Sequence, residues 1–487
     1  MRAADTLDIL LVVPPPFFIR MPHIGIAYLV SFLKQKGYRV AVEDLSLKLH
    51  NNSPSEMKKF WHIDCVNSFF QSEIAENIYK NFRKEIAEFV DRFLETKTKV
   101  VGFSVNIISI YLANKIAQEI KAKDRQRLII FGGPGTFYSH PRDQIKPNFN
   151  DIYVIGEGEF TLGHLLDDYY KGKKINNVPG ILLAKDLGSF QPALPAEIKN
   201  LDELSYPTFS EFSLSEYNQG NDYKPLPLLL SRGCIGRCSY CIDHLMWPHY
   251  RYRSAANIMR EIEYHIQNNN ARAFEMIDLT CNGNLKQLAE LCDLIIDSGF
   301  KFSWVSYAII RKGMDSCLLT KMKRAGCHTI IYGVENGSDR VLKRMGKTYT
   351  SGEASDVIQD THKAGICTNI NIIVGFPEET EDDFTQTMDF IRKNKDYIDE
   401  ITNVSACTLF PAADIGCNKE KYGISWEEGT DPMLFCDSNG LDRKGRNDRV
   451  ARLIKIIDEL GLSKSIVNKP SLNPEVKAIL ENEKKEV

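Results

Sequence analysis

Short, uninterrupted apolar runs alternate along this chain with stretches of helical periodicity, and that alternation constrains its fold more than any other feature. A strand that is apolar on every residue is buried on both faces, as in a parallel sheet covered by helices on each side. Residues 7–14 (Leu-Asp-Ile-Leu-Leu-Val-Val-Pro) form such a run. Ile24 to Lys36 then shows helical spacing and ends at Gly37, a natural C-terminal cap. A strand follows at Tyr38 to Asp44. Beyond a longer amphipathic segment come a strand at Val100 to Ser104, a helix near Leu112 to Lys121, strands at Leu128 to Phe131 and Asp151 to Ile155, and a helix from Glu159. This pattern predicts an α/β fold with an open, doubly wound, Rossmann-like sheet. A second series resumes after a linker containing Leu201 to Pro207. Its strands are expected at Leu226–Ser231, Ala273–Asp278, Phe302–Ser306, His328–Gly333, Cys367–Val374 and Glu400–Phe410, with helices such as Leu285–Ile296 and Asp382–Lys393 between them. These six units predict a partial parallel (β/α)6 barrel, whose site belongs at the carboxyl ends of the strands.

Bulk properties set the outer bounds. The chain has 487 residues, 43% hydrophobic and 26% charged, which suits two or three globular domains. A formal net charge of -3 and a pI of about 6.4 give no global field for nucleic acid or anionic membrane. No apolar run approaches the length of a bilayer span and no signal-peptide pattern opens the sequence, so a cytoplasmic protein is expected. Its 12 cysteines are then expected as reduced thiols. Cys65, Cys281, Cys292, Cys317, Cys327, Cys367, Cys407, Cys417 and Cys436 share no metal-like spacing and read as small hydrophobes.

The other three are different. Cys234, Cys238 and Cys241 sit in Leu-Ser-Arg-Gly-Cys-Ile-Gly-Arg-Cys-Ser-Tyr-Cys, directly after the first strand of the second series. Gaps of three and two residues curl the loop so that three thiolates face one region. Three thiolates can hold three irons of a cubane cluster and leave the fourth iron open to a small molecule. A zinc site is the alternative. Structural zinc takes four closed ligands, usually in two pairs, and only His244 and His249 lie nearby to complete the set.

The loop resembles that of the radical S-adenosylmethionine (SAM) superfamily, down to the aromatic Tyr240 before the last cysteine. Three later strand ends carry the same resemblance: Ile277-Asp278, Tyr332-Gly333-Val334-Glu335-Asn336-Gly337-Ser338, and Ile373-Val374-Gly375-Phe376-Pro377-Glu378-Glu379-Thr380. It implies that Cys234, Cys238 and Cys241 ligate a [4Fe-4S] cluster whose open iron is chelated by SAM. It also implies that Ile373 and Gly375 pack beside the adenine and that Glu335 meets polar groups of SAM. Asp278 and Arg311 are further expected contacts. Glu379 and the acids after it read instead as a helix N-terminus satisfying its dipole, and Asp278 could equally be a cap or a structural acid.

The strand ends of the first half carry Pro14-Pro15-Pro16, Ser104-Val105-Asn106, Gly132-Gly133-Pro134-Gly135 and Gly156-Glu157-Gly158-Glu159. Glycines there let a bulky ligand approach the backbone. The dinucleotide fingerprint is missing after the first strand, which argues against NAD, and Gly346-Lys347-Thr348 lacks the upstream glycine and the strand of a phosphate loop. As a set, these strand ends resemble the cobalamin-binding domain that precedes many radical SAM enzymes. Pro15, Ser104, Gly132, Gly133, Gly156, Glu157 and Gly158 are the contacts that this likeness implies. The motif D-x-H-x-x-G, whose histidine ligates cobalt, is absent from this half, where His23 and His50 lack the glycine. Its one occurrence, Asp360 to Gly365, reads as a helix ending in the second half.

The expected organisation is a cobalamin-binding-like domain over 1–190, a linker over 191–225, the radical SAM partial barrel over 226–411 and a mostly helical capping region over 412–487. The resemblance implies reductive cleavage of SAM to a 5′-deoxyadenosyl radical. Its expected use is cobalamin-dependent methylation of an unactivated carbon or phosphorus in a small metabolite. A cyclase, oxidoreductase or rearrangement enzyme without methyl transfer is the alternative, and a non-catalytic iron–sulfur sensor or scaffold is a third. Flavodoxin or ferredoxin is the expected electron donor; no nucleic acid and no membrane span are expected. Arg443 to Arg449 reads as a basic run before a helix near Val450 to Leu460, available to an anionic substrate or simply solvated.

Overall fold

The structure is a computed structural model. It describes residues 7–58, 61, 72–136, 149–175, 178–189, 196–218, 221–427, 430, 434–462 and 476. Cys65 and the charged tail from Glu481 lie outside the described residues. The chain divides into two compact units, Met1–Pro227 and Leu228–Val487.

In the first unit, β1 (Ile9–Val13), β2 (Val40–Asp44), β3 (Val100–Ser104), β4 (Leu128–Gly132), β5 (Ile152–Val154) and β6 (Ile181–Leu183) form one sheet in the order β2-β1-β3-β4-β5-β6. Every pair is parallel except β5–β6, where the edge strand runs antiparallel. Helices α1 (Ile24–Gln35), α2 (Leu45–Asn52), α3 (Ser72–Asn81), α4 (Arg83–Glu95), α5 (Ile110–Lys123) and α6 (Gly158–Tyr170) accompany it. The amphipathic stretch before β3 thus supplies α2 to α4. The expected doubly wound sheet is present, and its order reverses between β1 and β3, where such sheets open their ligand crevice.

The core of this unit explains why the strands read as apolar throughout. Phe103, Phe131 and Tyr153 are buried and meet edge to face, with centroids 5.6 and 6.1 Å apart, while Phe89 and Phe93 of α4 join the same cluster. Each such ring is worth about 1.5–3 kcal/mol when fully buried. Residues expected in a linker lie against this unit. Thr208 N–H donates to Ala27 O at 3.3 Å, the Tyr217 hydroxyl donates to Asp44 at 2.5 Å, and Ile198 N–H donates to Glu157 at 2.6 Å.

The second sheet contains β7 (Leu226–Leu228), β8 (Ala273–Met276), β9 (Ser303–Ala308), β10 (Cys327–Glu335), β11 (Cys367–Val374) and β12 (Glu400–Ala406), ordered β12-β11-β10-β9-β8-β7. The pairs from β8 to β12 are all parallel. Helices α7 (Ala255–Asn269), α8 (Leu285–Ser298), α9 (Ser316–Arg324), α10 (Asp339–Arg344), α11 (Ser351–Lys363) and α12 (Glu381–Asn394) connect or follow the strands. Side-chain caps start them where strand-end loops finish: Ser254, Asn284, Asp315, Ser338, Thr350 and Thr380 each accept a backbone N–H. Among the described residues no helix is long and apolar enough to cross a membrane.

The C-terminal reading needs correction. Arg443 to Arg449 does not precede the last helix but forms the first turns of α13 (Arg443–Glu459). Arg446 and Arg449 are neither solvated nor open to a substrate anion, with 0% and 7% of their surface exposed. Arg446 lies over the Phe435 ring at 3.6 Å and donates to Phe435 O and Leu441 O, so its charge is satisfied by backbone carbonyls.

Candidate functional site

The cysteine loop is closed at its base by a short antiparallel pair, Ser231–Arg232 with Arg251–Tyr252. Arg237 folds back inside it, donating to Cys234 O at 2.8 Å, Gly236 O at 3.0 Å and Pro248 O at 2.9 Å. Cys241 N–H closes a turn onto Cys238 O at 3.1 Å. Gly236 stands between the first two sulfurs: a Cβ there would fall 3.4 Å from Cys234 Sγ and 3.8 Å from Cys238 Sγ, and the Gly236 N–H points at Cys234 Sγ at 3.3 Å. Any side chain at 236 would therefore enter the space between the thiols.

All three cysteines are free and partly buried. Burial pushes the Cys234 and Cys241 thiols upward, and the neighbouring Asp243 carboxylate adds to this at Cys241. Thiolates in such surroundings call for a metal cation. Among the described residues no group of three or more His, Cys, Asp or Glu side chains could hold a single metal ion, as zinc requires. A cubane makes a different demand, one sulfur for each iron, and this loop fits it.

The loop is positioned from behind at Ser239. Its N–H donates to Met345 O at 2.9 Å, its hydroxyl to Arg344 O at 3.1 Å, and its carbonyl accepts Ile415 N–H at 3.0 Å. Gly346, at φ +79, lies so close that a Cβ would sit 2.9 Å from Arg237 O. The segment rejected as a phosphate loop therefore abuts the cysteine loop, and the next residue, Lys347, enters the site. Its ammonium is 3.4 Å from Glu335 Oε1 and 5.6 Å from the Tyr240 ring centre. Burial raises the Tyr240 hydroxyl pKa, with Glu335 adding to the effect.

Glu335 closes β10 at φ +69, in the left-handed region, where the β10–β11 register shifts between Gly333 and Glu335. A Cβ at Gly333 would fall 2.6 Å from Glu335 Oε1, so a side chain there would displace this carboxylate. Such local strain concentrates at functional sites. Asp278 is buried, and its carboxylate accepts Leu230 N–H at 3.0 Å and Ser231 N–H and Oγ–H at 2.5 Å each. Burial raises its pKa to about 6 against those hydrogen bonds. It thus fixes the strand that enters the cysteine loop. Arg311 donates to Asn282 O at 2.8 Å and Gly283 O at 2.9 Å, spending that nitrogen on the backbone of the loop after β8.

The acidic run after Gly375 also departs from expectation. Glu379 is not an exposed helix-start acid. It is 1% exposed and accepts Gly375 N–H at 2.6 Å, Asn336 Nδ2–H at 2.8 Å and Arg449 Nη1–H at 2.8 Å. One carboxylate thereby ties the ends of β10 and β11 to α13. The helix itself starts at Glu381 with Thr380 and Asp383 in a capping box. Gly375, at φ +70, packs on Arg446, whose Cγ would lie 2.4 Å from an added Cβ. Ile373 O accepts from Asn336 at 3.3 Å.

The two faces of this sheet differ. Trp304 and Tyr332 mark the helix side, bonding Ala325 O after α9 and Thr361 of α11. Residues alternate across a strand, so Tyr307, Glu335, Asn369, Asn371 and Ile373 face the other way. The parallel register sets Glu400, Asn403 and Ser405 on that same face. Asn371 accepts from Thr402 at 2.7 Å, and Asn369 donates to Glu400 at 3.4 Å. Branched apolar residues usually fill this face of a parallel barrel; here it is largely polar.

In the first unit, sheet order brings the loops after β1, β3, β4 and β5 side by side. Pro15, Ser104, Gly132, Gly133, Gly156, Glu157 and Gly158 belong to that edge. Its glycines do not all serve a ligand. A Cβ at Gly133 would meet Val105 O at 2.8 Å and one at Gly135 would meet Asn106 O at 2.6 Å, so these two admit the β3 loop itself. At Gly132 the nearest atom is Val154 Cβ at an ordinary 3.7 Å. Glu157 is buried and spends a carboxylate oxygen on Ile198 N–H. His23 caps α1 through Nδ1 and meets Ser104 Oγ through Nε2 at 3.0 Å, so both ring nitrogens are engaged. The small side chains at Ser104 and Gly132 leave the backbone of this edge open, while His23 has both ring nitrogens committed within the protein. In the second unit, His362 lies in the last turn of α11 and pairs with Asp399 at 3.4 Å, while Gly365 takes φ +78 beyond the helix.

Sequence reasoning found the three sulfurs and the strand ends but missed Lys347, Glu379, Asn336, Arg446 and Arg449. A usable signal existed for the arginines, since 446 and 449 share a helical stripe with Val450, Leu453 and Ile457, all buried.

Residues 228–391 match the Radical SAM superfamily. The chain is 26% identical over 312 residues to an uncharacterized methyltransferase of Pyrococcus horikoshii, the match covering 63% of this chain and 66% of that one. It is 25% identical over 442 residues to the anaerobic magnesium-protoporphyrin IX monomethyl ester cyclase of Rubrivivax gelatinosus, covering 88% and 72%. Among solved structures it resembles the radical SAM methyltransferase TsrM of Kitasatospora setae, with cobalamin and [4Fe-4S] cluster bound, at a TM-score of 0.61 and 17% identity over 87% of this chain and 77% of that one. The cysteine loop and the strand ends around it lie within the stretch that matches the Radical SAM superfamily, in a chain whose fold is similar to that of TsrM.

Proposed function

We propose that this chain is a cobalamin-dependent radical SAM methyltransferase acting on an unactivated carbon, or phosphorus, of a small polar metabolite. The observation that carries the reading is the loop of three free cysteines, set at the end of a parallel sheet and joined in one chain to a separate doubly wound sheet. The relatives' names point the same way, one a methyltransferase and one a methyltransferase bound to cobalamin and cluster. When bound, the cluster, SAM and cobamide supply one-electron cleavage of a sulfonium and methyl transfer.

The chain's own residues bind and orient. Cys234, Cys238 and Cys241 hold the cluster. Glu335 offers an acceptor-only carboxylate to the ammonium or ribose hydroxyls of SAM. Tyr240, Ile373 and Gly375 border the adenine, while Asp278 and Arg311 hold the backbone beneath them. Pro15, Ser104, Gly132, Gly133, Gly156, Glu157 and Gly158 form the cobamide edge. The polar inward face around Asn371, Asn403 and Ser405 suits a substrate rich in hydrogen-bonding groups. A cytoplasmic setting and a low-potential donor such as flavodoxin or ferredoxin complete the reading, with the division at 190, 225 and 411 as its domain scheme.

Anaerobic reconstitution with iron, sulfide and hydroxocobalamin, followed by desalting, tests it. The expected visible spectrum shows cluster and cobamide together, and Cys234→Ala keeps the cobamide while losing the iron. Wild-type protein that retains no cobamide overturns the methyltransferase reading. The similarity to a cyclase favours a second reading without methyl transfer; methyl-labelled SAM separates the two, because only the first puts label into product.

A further inference from the structure

Lys347 has no part in the sequence motifs, yet three separate constraints place it behind the cysteine loop. The Gly346 backbone lies against Arg237 and Cys238, with the Cys238 Cα 3.7 Å from where a Cβ at 346 would be. Ser239 bonds Met345 and Arg344 through its N–H and hydroxyl. Beyond Lys347, the Tyr349 hydroxyl donates to Gly333 O and Val334 O at 2.9 Å each, which seats the segment on the end of β10. With its backbone fixed on both sides, the side chain has 8% exposure and reaches Glu335 Oε1 at 3.4 Å, under the Tyr240 ring. A bare surface lysine would do none of this.

We propose that Lys347 is a positioning and electrostatic residue of the cluster site: its buried ammonium holds the Glu335 carboxylate at the end of β10 and sets a fixed positive charge behind Cys238 that raises the reduction potential of the cluster. The inference rests on the reading that the cysteine loop holds a [4Fe-4S] cluster. Net charge around a cluster is one of the levers on its potential, and a buried charge is little screened by salt. Reduction adds one electron from an external donor with no bond made or broken at Lys347, so a nearby cation favours the reduced state. The Glu335 carboxylate offsets part of that positive charge, so both residues enter the test. Burial alone would drive the lysine toward neutrality. The Glu335 carboxylate at 3.4 Å opposes this and keeps the ammonium charged.

The test is an EPR-monitored redox titration of the iron-loaded full chain, with iron and sulfide content measured on the same samples. Lys347→Met is expected to lower the midpoint potential, Lys347→Arg to restore it to the wild-type value, and Glu335→Gln, which leaves the ammonium uncompensated, to raise it. SAM affinity measured without turnover is expected to fall several-fold in both Lys347→Met and Glu335→Gln. A purely structural lysine would reduce cluster content without moving the potential of the clusters that form. Unchanged potentials in loaded Lys347→Met and Glu335→Gln overturn the inference while leaving the cluster reading intact. Wild-type protein that takes up no iron overturns the cluster reading itself, and this inference with it.

Discussion

At the scale of single residues, Glu379 has the largest structural consequence. It gathers Gly375, Asn336 and Arg449 onto one buried carboxylate. Burial raises its pKa, and Arg449 is the largest force opposing that rise. Removing one partner of a buried pair strands the other charge and costs about 3–5 kcal/mol. Arg449→Met is accordingly expected to lower the unfolding midpoint sharply, and the double variant Glu379→Gln/Arg449→Met to recover part of the loss. Thermal unfolding of wild type, both single variants and the double variant checks this; additive losses would show that the two side chains do not act as a pair. Composition alone could not reveal it. An acidic run and a basic run separated by about 70 residues each look solvated, and only the tertiary fold shows that Glu379 and Arg449 face one another. The three cysteines were legible for the opposite reason, since their spacing lies within one loop.

At the scale of elements, legibility followed the length and isolation of each apolar run. Val100–Ser104 and Cys367–Val374 form strands with the bounds read from sequence. The strand expected from Leu226 to Ser231 breaks after Leu228, where Asp278 captures the N–H groups of Leu230 and Ser231. A long-range carboxylate did that, and no local pattern records it. Helix α1 carries a testable consequence. Its cap is His23, partly buried, whose pKa is lowered to about 4 by desolvation against its backbone hydrogen bond. Unfolded, the same imidazole binds a proton near pH 6.5. The unfolded chain therefore holds more protons between those values. His23 costs no stability above pH 6.5, and the cost grows as pH falls through that window toward roughly 3 kcal/mol near pH 4. Asn can keep the cap without titrating, so His23→Asn is expected to gain on wild type as the buffer is acidified. Unfolding midpoints at pH 7 and pH 4.5 measure the difference. Parallel pH profiles would contradict the buried neutral imidazole.

At the scale of the whole molecule, each of the two units puts its candidate site at the carboxyl ends of parallel strands, and each uses that edge differently. The second unit supplies sulfur ligands, a carboxylate and a buried ammonium around one loop. The first supplies small side chains and open backbone, with His23 committed to a helix cap. That division of labour was visible in outline from the alternating apolar runs, whereas the polar inward face of β11 and β12 emerges only from strand register. The central claim is that three side chains hold the cluster and leave one iron for SAM. Mössbauer spectroscopy of the 57Fe-reconstituted full chain, with and without SAM, tests it most directly. The account predicts a cubane in which one iron of four changes its parameters when SAM is added and three do not. A cubane whose four irons are all unaffected by SAM, or a protein that binds zinc and no cluster, would contradict it.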